Sequence, residues 1–154
     1  MNKGSEMSQP TRVGGPILAA SATLRIFGKA LDPNEITGLL GLPPTASYRA
    51  GDPVSVRVVA HRKIGMWQLE SSLSPTEELS LHVLGLLTQL PMDTGIWEAI
   101  VGRFSADVYC GVDVRLPNSG IELTSAAIAA LAARKLSIQL DLYALPAVQN
   151  GSDD

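Results

Sequence analysis

The stretch LDPNEITGLLGLPPTASYRAGDP, residues 31–53, carries glycines at 38, 41 and 51 and prolines at 33, 43, 44 and 53. Two readings compete for its glycine-rich part, Gly38–Pro53: a cradle for phosphate, or the place where a helix stops. A phosphate-binding loop leads from a strand into a helix, with Lys and Ser or Thr where the helix opens. Here the order is reversed. Asp32 suits an N-cap, Pro33 the first helical position, and Glu35 the third, where it would close a capping box. Leu31 and Ile36 stand at the two positions of a hydrophobic staple. Gly41 suits the left-handed residue just past a helix end, and Pro43-Pro44 forbid the helix to resume. The stretch is therefore a helix exit. From there to Asp52-Pro53 the chain reads as a long loop in which Ser47, Tyr48 and Arg49 form a candidate binding edge.

Working outward from it, ATLRIF (22–27) alternates Ala22, Leu24 and Ile26 with Thr23, Arg25 and Phe27, the period of a strand. VSVRVVAH (54–61) and MWQLESSL (66–73) read as two strands of a hairpin joined through RKIG. Ser74-Pro75 with Glu77 repeats the cap-Pro-Glu signature and opens a helix carrying Leu79, Val83, Leu86, Leu87 and Leu90 on one stripe. Asp93 caps a second helix with Ile96, Trp97, Ile100, Val101 and Phe104 inward. In ADVYCGVDVRL (106–116), Val108, Cys110, Val112, Val114 and Leu116 face one side while Asp107, Tyr109, Asp113 and Arg115 face the other. Thr124 caps an alanine-rich helix ending at Arg134-Lys135, cations suited to its C-terminal dipole. In LSIQLDLYAL (136–145), Leu136, Ile138, Leu140 and Leu142 face in, and Ser137, Gln139, Asp141 and Tyr143 face out.

The predicted order is β-α-β-β-α-α-β-α-β. One-sided alternation in the strands means one buried sheet face. The expectation is an α+β two-layer sandwich: a single mixed or antiparallel sheet of about five strands with helices on one face. The folded body is expected at 21–145, between flexible tails at 1–20 and 146–154.

The 154 residues suffice for one domain, and 45% are hydrophobic, enough for a sizeable core. A net charge of -3 gives no basic field to hold a nucleic-acid backbone. No apolar run reaches the roughly 18 residues of a membrane helix. The N-terminus shows no charged region followed by an apolar one, so the cytoplasm is the default location. Cys110 is the single cysteine, which excludes a disulfide within the chain and argues against a cysteine zinc site.

Catalytic patterns are missing. No G-x-S-x-G elbow occurs, and only His61 and His82 are available as bases. Cys110 has inward parity, so it reads as a core residue. His61 and His82 are not spaced as a metal pair. The outward carboxylates Glu70, Asp107, Asp113 and Asp141 allow a rival reading, a divalent ion held by Asp107, Asp113 and Asp141. Arg25, Arg57 and Arg115 share that face, and a lattice of cross-strand ion pairs is the simpler account. The reading leans away from an enzyme, and no cofactor is expected. Tyr109 and Tyr143 stand among these charges, as residues that anchor protein interfaces often do. The expected partner-binding surface is Tyr48 and Arg49 from the loop with Arg57, Tyr109, Asp113, Arg115, Asp141 and Tyr143 from the open face. Another protein is the expected partner, or a second copy of the chain, with no nucleic acid and no membrane. The alternative is a small-molecule sensor, which calls for a deep apolar pocket lined by Trp67.

The segments TLRIFGKALDPNEITGLLGLPPT, MWQLES and GIELTSAAIAALAARKLSIQLDLYAL resemble the bacterial domain-of-unknown-function family 4279. The resemblance spans nearly all of 21–145 and rests on structural punctuation, so it implies a fold and carries over no site residues. It implies a small bacterial cytosolic protein. Some small bacterial domains of this kind act as immunity proteins, and by that analogy an inhibitor plugging a basic toxin is one concrete expectation.

Overall fold

The structure, a computed structural model, describes residues 14–145. The elements are β1 (Ala19–Gly28), α1 (Pro33–Leu40), β2 (Ala46–Tyr48), β3 (Pro53–Ser55), β4 (Val58–His61) and β5 (Gly65–Glu70). They continue with α2 (Leu79–Leu87), α3 (Thr94–Arg103), β6 (Ser105–Arg115), α4 (Ser125–Ala133) and β7 (Ser137–Leu145). Five strands form one mixed sheet in the order β2-β5-β1-β6-β7, and β3 and β4 form a separate two-stranded ribbon. Only β6 and β7 run parallel, joined through α4. The fold is α+β, as expected.

Three helices open at the caps their sequences predict. Asp32 accepts from the Asn34 N–H at 3.0 Å, Asp93 from the Gly95 N–H at 2.8 Å, and Thr124 from the Ala127 N–H at 3.3 Å. Gly41 takes the left-handed conformation at φ 74° and closes α1. Glu35 does not close a capping box, because its carboxylate is paired with Arg103 of α3. The α2 helix starts at Leu79, later than Ser74-Pro75 predicts. Ser74–Glu77 is instead a turn whose Pro75 carbonyl accepts from Ala20 N–H at 2.8 Å, at the start of β1.

The hairpin expected between VSVRVVAH and MWQLESSL is not formed. The first segment folds on itself, with Val56 and Arg57 in the turn between β3 and β4. Its place beside β5 is taken by β2, within the expected loop, where Ser47 pairs with Trp67. Residues 14–20, expected as the end of a loose tail, are held on the domain. Gly15 exchanges hydrogen bonds with Asn118 and Gly120, and Leu18 N–H donates to the Asp113 carbonyl at 2.8 Å. The remaining tail residues, 1–13 and 146–154, lie outside the described residues.

The helices cover one sheet face. From it Ala22, Leu24 and Ile26 of β1, Trp67 and Leu69 of β5, and Val108, Cys110 and Val112 of β6 enter the core. They meet Ile36, Leu86, Trp97, Ile100 and Leu131 from the helices. Cys110 is fully buried in this core, and burial pushes its thiol up to about 12, which disfavours the thiolate. His82 is also buried and its Nδ1 lies 2.8 Å from Ser71 Oγ. Edge strand β7 departs from the expectation. Leu140 and Leu142 lie on the helix side, in register with Cys110 and Val112, yet are 40% and 53% exposed because the helical layer stops short of them.

Candidate functional site: the open sheet face

The face away from the helices is built by the outward half of each alternation. Register places Gln68, Arg25, Asp107 and Ser137 in one row across β5, β1, β6 and β7. The next rows are Glu70, Thr23, Tyr109 and Gln139, then Ser21, Gly111 and Asp141, then Ala19, Asp113 and Tyr143. Four carboxylates (Glu70, Asp107, Asp113 and Asp141) face Arg25 and Arg115, with Arg62 over Tyr48 at the β2 edge, so this face keeps a small excess of carboxylates.

Its centre is hydrogen-bonded throughout. Arg25 donates from Nε and Nη2 to the two Asp107 oxygens at 2.8 and 2.7 Å, and from Nη2 to Gln139 Oε1 at 2.9 Å. Its guanidinium stacks on the Tyr109 ring at 4.7 Å. The hydroxyls of Tyr109 and Tyr143 each donate to Asp141 Oδ2 at 2.7 Å. Tyr143 reaches this position across Gly111. A Cβ there would stand only 3.1 Å from Ser21 Oγ but at an ordinary contact distance, 3.8 Å, from the Tyr143 ring, so the close approach at this glycine is to Ser21 of β1. The Tyr143 and Tyr109 hydroxyls hold the Asp141 carboxyl below the usual carboxylate range, and Asp141 in turn raises the Tyr143 phenol.

Because the folded Asp141 pKa is lowered, its contribution is present above the unfolded value near ~3.9 and is lost as pH falls through the folded value. Replacing Tyr143 by phenylalanine removes one of the two donors. The Asp141 pKa is then expected to move up toward its ordinary value, measured by NMR titration of the side-chain carboxyl carbon. An unchanged titration would show that the Tyr143 hydroxyl does not stabilise the carboxylate.

The predicted surface residues fall into two groups. Tyr109, Asp113, Arg115, Asp141 and Tyr143 lie on this face. Tyr48 is on the same side at the far edge, on β2, where the Arg62 guanidinium stacks 4.2 Å above its ring. Arg49 does not overhang the sheet: it is paired with Asp32, the α1 cap, at 2.6 Å. Arg57 is not on the sheet at all, since it stands in the turn of the β3–β4 ribbon. Gln139 and Gly111 belong to this face but not to the predicted surface. A glycine inside the outward series Asp107, Tyr109, Gly111, Asp113 was the available signal, because a glycine there marks a close approach.

Other chemistries find less support. Asp107 is held by Arg25 and Asp141 by two tyrosines, and among the described residues no three His, Cys, Asp or Glu side chains cluster to hold a metal ion. Trp67 lines neither of two surface clefts of about 400 and 700 Å³, and its indole N–H is bonded to Thr37 Oγ1 inside the core. No described helix is long and apolar enough to cross a membrane.

Fold and face together define a small α+β domain with one helical layer and one bare, acidic, tyrosine-bearing sheet face. The model of the family described as a domain of unknown function, DUF4279, matches residues 19–145, and the chain belongs to that family. No curated protein and no solved structure matches the chain.

Proposed function

We propose that the protein is a protein-binding module that engages a basic partner surface with its open sheet face. The observation that carries this reading is the prearranged network of Arg25, Asp107, Tyr109, Gln139, Asp141 and Tyr143 on a face that no helix among the described residues covers. Its side chains are already fixed by one another, so docking them costs little further rotamer entropy. Tyrosines supply anchoring area, and the carboxylate excess favours a cationic partner and speeds its capture. An immunity-type inhibitor in the bacterial cytoplasm, covering a basic toxin, is the concrete form this takes.

The test places a photo-crosslinking amino acid at Thr23, in the middle of the face, in cells of the native host. A crosslink to one defined basic protein is expected. Its affinity should fall at least ~10-fold in the Tyr109→Ala, Tyr143→Ala double variant, the scale of a lost anchor pair. Affinity should also weaken with added salt. Crosslinks from Glu98 on α3 but none from Thr23 would overturn the reading, as would undiminished binding by the double variant.

A further inference from the structure

The sheet ends on two unequal edges. The β2 edge is three residues long, while β7 presents nine, SIQLDLYAL, without a lysine, arginine, proline or bulge. Long flat edges without such protection pair with other strands. The β7 edge is apolar on its helix side and, beyond Asp141, at the end of its open side. Leu140 and Leu142 are exposed on the helix side, and Tyr143 and Leu145 on the open side. Ile128 of α4 adds another exposed apolar side chain.

We infer that β7 pairs antiparallel with β7 of a second copy of the chain, about a two-fold axis at Leu142, to give one continuous ten-stranded sheet. The strand is self-complementary in that register. Leu142, more exposed than Leu140 on the helix side of this strand, meets its own copy. Leu140 meets the small Ala144 of the other copy, and Gln139 meets Leu145. Asp141 meets Tyr143, repeating across the axis the carboxylate–phenol pairing each chain already makes within itself. A register centred on Asp141 would instead set two carboxylates directly opposite, which is unfavourable. A two-fold normal to the sheet leaves both open faces on the same side. The pairing therefore joins two acidic faces into one surface, and it stands whether or not those faces bind a protein.

The experiment is sedimentation equilibrium over a wide concentration range, on the full chain and on Leu142→Lys, with cysteine crosslinking to fix the register. The wild-type chain is expected to sediment as a dimer. Leu142→Lys, which sets two ammonium groups face to face, is expected to sediment as a monomer with an unchanged circular dichroism spectrum. Leu142→Cys should form a disulfide-linked dimer on mild oxidation, since directly opposed residues lie within the ~4.4–6.8 Å Cα separation a disulfide spans. Leu140→Cys should not, and the buried Cys110 stays out of the reaction. A monomeric wild type, a dimeric Leu142→Lys, or crosslinking through Leu140→Cys alone would each overturn the proposal. None of these outcomes alters crosslinking from Thr23, so failure here and failure of the binding-face reading are separately visible.

Discussion

Replacing Arg134 by alanine is expected to lower the unfolding free energy by about 3 kcal/mol, an unusually large loss for an arginine. The side chain is only 4% exposed. Its Nη2 donates to the Leu87 carbonyl at 2.9 Å and the Leu90 carbonyl at 3.4 Å, and Nη1 donates to the Ala130 carbonyl at 3.1 Å. The guanidinium also lies 5.9 Å from the Trp97 ring centre. One residue thus satisfies the C-terminal carbonyls of α2, sits beside α3 and closes the end of α4. A helix end buried without such a partner leaves acceptors that water cannot reach. Burial pulls the guanidinium below the ordinary arginine value. Alanine would remove every donor and open a cavity beside Trp97. Lysine keeps one cationic donor but not the planar fork, so Arg134→Lys should fall between the two. Urea denaturation with an unchanged m-value provides the measurement. A loss under about 0.5 kcal/mol for Arg134→Ala would show that these carbonyls find other partners.

Arg134 also shows where the sequence stops being legible. It reads as a surface cation suited to a helix dipole, and composition supports that. Yet Ala127, Leu131 and Arg134 follow helical spacing, and all three are buried. The spacing was a signal that charge overrode. Caps were readable because each depends on a few adjacent residues, as at Asp32, Asp93 and Thr124. Pairing was less so. Alternating valines in VSVRVVAH describe a strand that could lie in any sheet, and the ribbon they form leaves Val56 and Val59 fully exposed. Parity likewise puts Leu140 and Leu142 on the correct side of β7. It says nothing of whether a helix reaches far enough to cover them, which depends on the length and angle of α4. On the open face, parity located the tyrosines and carboxylates, while the partner of Arg25 depended on which strands became neighbours, and Arg49 left that face for the α1 cap Asp32.

Trp67→Ala should cost more still, about 4 kcal/mol, the upper part of the range for removing a buried aromatic side chain. Trp67 has no solvent exposure and stands on the inner face of β5, between Ile26 of β1 and Ser47 of β2 in register. Its indole N–H donates to Thr37 Oγ1 at 3.0 Å, so the same side chain fills the core and ties α1 to the sheet. Alanine would leave a cavity under α1 and deprive the half-buried Thr37 hydroxyl of its donor. Phenylalanine keeps most of the volume and loses the N–H, so its cost should be roughly half. Adding Thr37→Val to Trp67→Phe removes the stranded partner. If the hydrogen bond matters, the double variant should recover part of the loss, a coupling a mutant cycle reads directly. Additive costs would mean that Trp67 acts by volume alone. The comparison with Tyr109→Ala, Tyr143→Ala separates the two faces of the sheet. Those rings point away from the helices, so the double variant should keep a cooperative unfolding transition near that of the wild type. If it unfolds as readily as Trp67→Ala, the tyrosines support the fold, and the bare face loses its standing as a surface free to bind.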